Sequence, residues 1–118
     1  HSDSPMFSHA PMSLLATAVT RRSSSGREIG LEEALSVEQG LRALTLNAAY
    51  QVHAEKALGS IEIGKRADFT LLERDPHEVA SDRLRSLEVR ATFVNGRCRS
   101  SHCERVLSQG RGRPCVRP

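Results

Sequence analysis

Residues 59–75, GSIEIGKRADFTLLERD, decide how this 118-residue chain is read. Gly59 follows a helix-like run and can take the left-handed conformation that stops helices, while Gly64-Lys65 supplies a tight turn between two short apolar runs. Ile61 and Ile63 precede that turn. Ala67, Phe69 and Leu71 alternate after it, which predicts one buried strand face with Asp68 and Thr70 on the other. Downstream, Val89, Ala91 and Phe93 alternate up to Asn95-Gly96, a dipeptide suited to the positive φ angles of a type I′ turn, so a second hairpin is expected there.

Upstream the pattern is helical. Pro11 suits the first turn of a helix, and Leu14, Leu15, Ala18 and Val19 then share one side, with Arg21 and Arg22 near the negative C-terminal end. Ser23-Ser24-Ser25-Gly26 breaks that helix and opens a polar loop running to about residue 35. Ser36 and Gln39 have the spacing of a capping box, in which each side chain satisfies a backbone donor of the other. Val37, Leu41, Leu44 and Ala48 follow at helical spacing. Gly40 weakens this helix by roughly 1 kcal/mol relative to Ala, and Asn47 is the expected kink before residues 48–54. A short helix is expected around residues 81–84. No internal repeat is present.

The ordered set of turns and strands in residues 59–75 resembles the C-terminal signature of the amidohydrolase superfamily. That signature is a Gly, a short strand, Gly-Lys, then Ala-Asp and an apolar strand ending near Asp-Pro, here Gly59, Ile61, Gly64-Lys65, Ala67-Asp68, residues 69–72 and Asp75-Pro76. Three further stretches fit in order: His1-Ser2-Asp3-Ser4-Pro5 is similar to the end of the last barrel strand, residues 36–50 to the helical region after it, and residues 91–97 to the closing strand. The nearest branch is the type-3 amidohydrolases, which include N-substituted formamide deformylase-like enzymes. The resemblance covers roughly residues 1–97. It implies a mixed α/β fold, the last strand–helix unit of a (β/α)8 barrel followed by strands of a small composite β-sandwich. The expected divisions are 1–57 for the barrel end, 58–97 for the sandwich segment and 98–118 for a disordered tail.

Active sites of such barrels lie at the C-terminal ends of the strands. By resemblance, Asp3 is therefore the candidate catalytic residue and a candidate metal ligand. The family's chemistry implies a divalent metal, usually zinc, and a carboxylate that takes a proton from water and returns it to the leaving amine. Read from local residues alone, Asp3 is a turn carboxylate before Pro5. His1, His9, His53 and His77 match no family ligand and are expected on the surface. The His-x-His pair on which the family builds its metal site is absent, and one carboxylate cannot hold a catalytic zinc that takes three protein ligands. The expectation is a C-terminal fragment of an enzyme acting on a small amide-type substrate, inactive alone. The rest of the barrel or a partner chain would complete it, because a lone terminal unit leaves strand edges and apolar faces uncovered. A chain beginning with His1 rather than Met suits a segment from inside a longer reading frame.

Composition limits the alternatives. Three Phe, one Tyr and no Trp leave few large side chains for a core. No apolar run reaches membrane-spanning length and no basic-then-apolar leader precedes one, so the cytoplasm is the default location and no membrane partner is expected. Charge is uneven: residues 1–96 carry a net −2 and residues 97–118 a net +5. Those Arg residues have no interleaved aromatics, which argues against specific nucleic-acid binding. A non-catalytic interaction module with a basic tail is the alternative reading. A third is a small zinc domain using Cys98, His102, Cys103 and Cys115, whose spacing matches no familiar finger. Three cysteines and no secretory signal point to reduced thiols.

Overall fold

The computed structural model describes residues 5–6 and 9–100. Helix α1 (Pro11–Thr20) starts where the sequence places it: Ala10 is extended, Pro11 takes the first helical position, and the Ala10 carbonyl accepts from the amides of Ser13 at 3.0 Å and Leu14 at 3.2 Å. Pro lacks an N–H, but at that position the amide would have no helical partner anyway. The helix ends at Arg21 in the left-handed region with φ 51°. The buried stripe is Leu15 and Ala16, flanked by Met12 and Val19, so Leu15 and Val19 of the expected side face the core while Leu14 and Ala18 are only half-buried. That stripe faces the 3₁₀ helix Ser81–Ser86, where the sequence predicts a short helix, and Leu84 closes the core between them.

The expected polar loop is built rather than loose. Arg22 and Glu28 form an antiparallel bridge and an ion pair at 2.8 Å, while the Arg21 guanidinium donates through Nε to the carbonyls of Ile29 and Gly30 at 3.1 and 3.2 Å. A single 3₁₀ turn, Leu31–Glu33, leads to Ser36. There the capping box forms in full: the Gln39 amide donates to Ser36 Oγ at 3.1 Å and the Ser36 amide to Gln39 Oε1 at 2.9 Å.

Helix α2 (Val37–Leu44) follows, and α3 (Leu46–Gln51) after a break. The break falls at Thr45, with φ −120° and ψ −89°, not at Asn47, which lies inside α3. The Thr45 hydroxyl donates to the Leu41 carbonyl at 2.7 Å, a back-bond of the kind that bends helices. Gly40 also reads differently in three dimensions. A β-carbon there would stand 2.5 Å from Leu15 Cδ1, so the missing side chain is what lets α2 close on α1.

The sheet has three antiparallel strands in the order β1 (Phe69–Leu72), β2 (Val89–Val94) and β3 (Arg97–Cys98). β1 pairs with β2 through Phe69↔Phe93, Thr70↔Thr92 and Leu71↔Ala91, with an irregularity before Leu72↔Val89. The hairpin at Asn95-Gly96 is the expected one, with both residues at positive φ and Val94 paired with Arg97. The first hairpin does not form. Ile61 and Ile63 precede a turn at Gly64 as read, but they make no strand and are 88% and 108% exposed. A strand holds only where a neighbour takes up its ladder hydrogen bonds, and among the described residues none pairs with residues 61–63.

The face expected to be buried on β1 is half open for the same reason, with Phe69 39% and Leu71 42% exposed. Phe69 and Phe93 cover each other, stacked with ring centroids 4.5 Å apart. The architecture is thus mixed α/β with a small antiparallel sheet. The expected barrel strand at residues 1–5 and the tail past 100 fall almost wholly outside the described residues. Among the described residues no helix is long and apolar enough to cross a membrane.

Three glycine substitutions test this packing, the first of them against helix propensity. Gly40→Ala gains about 1 kcal/mol of propensity but overpacks the fully buried Leu15, which costs about 1–3 kcal/mol, so thermal or urea unfolding of the full chain should show a net loss. Gly59 has φ +89°, and a β-carbon there would meet Ala49 Cβ at 2.8 Å and the Leu46 backbone at 2.9 Å. Gly59→Ala should therefore cost more, about 2–4 kcal/mol. Gly64→Ala, with open space around it, should lose only about 1–2 kcal/mol.

Candidate functional site

Four of the described carboxylates, Glu38, Glu62, Asp68 and Asp75, and one histidine, His77, are held by local frames that show what each can do. Asp68, the acid of the Ala67-Asp68 pair, sits just before β1. Its Oδ1 accepts from the Asn95 amide at 2.6 Å and its Oδ2 pairs with Arg66 at 3.0 Å, while the Ala67 carbonyl accepts from Gly96 at 2.9 Å. The pair thus ties the approach to β1 onto the β2–β3 turn. In the turn before it, Glu62 accepts from the Ser60 hydroxyl and pairs with Lys65 at 3.2 Å. Those contacts, Ser60 first, lower the Glu62 carboxyl below its usual range.

His77, expected on the surface, is exposed but not unpartnered. Its Nδ1 lies 2.8 Å from Asp75 Oδ1 and its Nε2 3.3 Å from Glu38 Oε2 on α2, and its own amide donates to Asp75 Oδ1 at 2.9 Å. The amide bond closes an Asx turn over Pro76, a motif that Asp favours because its side chain can mimic a backbone carbonyl. The backbone and ring contacts of His77 lower the Asp75 carboxyl, and Asp75, with Glu38 behind it, raises the imidazole. The Asp-Pro-His order is the local signal for the turn, whereas Glu38, 39 positions away, has none.

The remaining histidines are apart. His9 is exposed before α1, and His53 is exposed at φ 55° after α3. Asp3 and His1 lie outside the described residues. Among the described residues no three His, Cys, Asp or Glu side chains come together as metal ligands. In the Glu38–His77–Asp75 group the two carboxylates sit on opposite edges of one ring, which leaves no shared vertex for an ion. The described donor set therefore does not fit a divalent metal. Of the four residues of the zinc-domain reading only Cys98 is described, in β3; His102, Cys103 and Cys115 lie outside the described residues. An open cleft of about 420 Å³ runs between the end of α1 and the 3₁₀ helix Ser81–Ser86, lined by Arg22, Ser23, Asp82 and Arg85 among others. Its two arginines are engaged, Arg22 by Glu28 and Arg85 by the Thr17 hydroxyl at 3.2 Å.

With the chemistry of the described part confined to such clips, the comparisons carry the assignment of class. The profile of the Amidohydrolase family matches residues 1–99, and the chain belongs to that family. It is 38% identical over 95 residues to the N-substituted formamide deformylase of Arthrobacter pascens, a match covering 80% of this chain and 18% of that protein. It is 34% identical over 98 residues to YtcJ of Bacillus subtilis strain 168, named as an amidohydrolase, again over 80% of this chain and 18% of the relative. An imidazolonepropionase of Bacteroides thetaiotaomicron shares 44% identity over 45 residues, 38% of this chain and 11% of that one. The chain thus spans under a fifth of the length of the curated relatives it matches. No solved structure matches it.

The frame around Asp68 yields a test. Asp68→Ala removes a charge-assisted bond to the Asn95 amide, and bonds of that type contribute about 1.5–3 kcal/mol when shielded. Asp68 is partly open to solvent, so the loss on urea unfolding should sit near or below the lower end. Unchanged stability would show that the Ala67-Asp68 pair does not hold the hairpin.

Proposed function

We propose that this chain is the C-terminal portion of a metal-dependent amidohydrolase that hydrolyses a carbon–nitrogen bond outside peptides, of the amide or formamide type, in a small molecule. The observation that carries this reading is the family match over residues 1–99 in a chain that spans only 18% of its deformylase relative. In this reading residues 1–57 contribute the end of a (β/α)8 barrel, residues 58–97 strands of a composite β-sandwich, and residues 98–118 a tail outside both. The uncovered Ile61, Ile63, Phe69 and Leu71 support a missing half, since apolar area left in water forgoes about 25 cal/mol per Å² of stabilisation.

Asp3 is the catalytic residue of this proposal. At the mouth of a barrel its carboxylate takes a proton from the attacking water and hands it to the departing nitrogen, so that the C–N bond breaks with acid and amine as products. The divalent metal of such an enzyme, with zinc the first to test, would take most of its ligands from outside this chain, and Asp3 would be the one residue here to touch it. Its chemistry when bound is to make water a nucleophile near neutral pH. The interaction-module alternative has no separate observation in its favour.

Grafting tests the reading directly. Residues 1–99, substituted for the matching segment of the Arthrobacter pascens deformylase, should restore measurable turnover of an N-substituted formamide. Asp3→Asn in that graft should reduce kcat by about 10²–10⁴-fold, the usual contribution of a positioned proton carrier. A graft that folds and turns over equally well with either residue would refute the role of Asp3. The chain alone, with zinc added, should release no amine above a buffer blank, and zinc-dependent hydrolysis by it would contradict the fragment reading. Its thermal transition should be broad or accompanied by aggregation; a sharp two-state melt of a soluble monomer would show that no missing half is needed.

A further inference from the structure

The Glu38–His77–Asp75 group joins two parts of the molecule that sequence separates, and it does so through one imidazole. Glu38 lies in the first turn of α2, and Asp75 and His77 lie in the loop between β1 and the 3₁₀ helix Ser81–Ser86. The loop is anchored on either side of the ring, by Pro76, which is buried, and by Val79, which packs on the Leu15–Leu84 core. His77 thus stands at the middle of a short span pinned at both ends, with its ring reaching across to the helix.

The donors and acceptors do not balance for a neutral ring. An ionised carboxylate only accepts, and a neutral imidazole has one N–H and one bare nitrogen. With carboxylate oxygens at 2.8 Å from Nδ1 and 3.3 Å from Nε2, both contacts are hydrogen bonds only when both ring nitrogens carry protons. The charged groups that face the ring are Asp75 from its own loop and Glu38 from α2. In the neutral state one nitrogen lone pair would point at a carboxylate, which is repulsive. Nδ1 sits closer, on the same Asp75 Oδ1 that the His77 backbone amide already holds in the Asx turn, so the proton is kept there and the Glu38 contact is the one given up.

We propose that His77 is a proton-operated clip, which ties the β1 exit loop to helix α2 while its ring is doubly protonated and lets go of Glu38 when the ring loses a proton. The contacts raise the imidazole above its ordinary 6.5, the Asp75 hydrogen bond most, and lower Asp75 below its ordinary 3.8. The sign then follows from linkage. The His77 contribution is fully present below 6.5 and fades as pH rises through the raised value, and the Asp75 contribution is present above 3.8 and fades as pH falls through the lowered one. The clip is tightest between those limits and opens on the alkaline side.

An NMR titration of the full chain across 6.5 tests this, following the His77 ring signals together with the backbone amides of Glu38 and Val79. The expected result is a His77 midpoint above 6.5, with the Glu38 and Val79 amides shifting at that same midpoint and His53 not moving them. In Glu38→Gln the His77 midpoint should drop toward 6.5 and the coupled shift at Val79 should be lost, while the Ala91 amide keeps its dispersed position as a marker of the folded sheet. A His77 midpoint at or below 6.5, amides indifferent to it, or a midpoint unmoved by Glu38→Gln would each overturn the proposal. So would an Ala91 amide at random-coil position throughout, because an unfolded chain has no docked loop for the ring to hold.

Discussion

Leu15 occupies the volume that a side chain on residue 40 would need, and the helical half of this molecule is arranged around that close approach. Because Gly40 presents bare backbone, α2 can lie down on the buried stripe of α1, and the other side of that stripe remains for Leu84. The resulting core is small and aliphatic: Leu15, Ala16 and Leu84, with Met12, Val19, Val37, Leu41, Leu44 and Val79 at its margin. It has to be, because two of the three Phe residues are used on the sheet, stacked on each other rather than buried among the helices. A core of this kind depends on fit more than on area, which is why one added methyl group decides more than a helix propensity does.

The stretch that resembles a family signature is, in this structure, a set of mechanical joints. Gly59 seats the chain against the Thr45–Ala49 backbone where no β-carbon fits. Ala67 and Asp68 fasten the start of β1 to the Asn95-Gly96 turn. Asp75 closes the loop over Pro76. None of these residues is placed for proton transfer to a substrate, since each acid is already engaged with backbone donors or cations. A motif can thus identify a family through the geometry it enforces while the chemistry lies elsewhere in the polypeptide.

Helices and turns could be read from local pattern because their causes are local: the Ser36 and Gln39 side chains find donors three residues away, and Asn95-Gly96 takes its positive φ angles without help from distant residues. Alternation at Ile61 and Ile63 shows which residues could form a strand but not whether a neighbour exists to bond it. The kink at Thr45 is set by a side-chain hydroxyl bonded to the preceding turn rather than by helix propensity. The value of Gly40 depends on Leu15, which lies 25 positions earlier in the chain, so local pattern shows only its cost to the helix. The Asp3 role rests on resemblance alone.

The amino-acid order by itself determined the class of this protein, the start of α1, the capped start of α2, the tight β2–β3 turn and the mixed α/β character, since each of those follows from residues within a turn or two of one another. The tertiary structure decided which glycine is a joint and which is a bend, that the signature acid is a fastener, that Ile61 and Ile63 lie bare, and that His77 meets a helix formed 39 residues before it. The physical reason is range: backbone hydrogen bonds and φ preferences act between near neighbours, whereas packing volume and charge pairing depend on distances that only the folded chain sets.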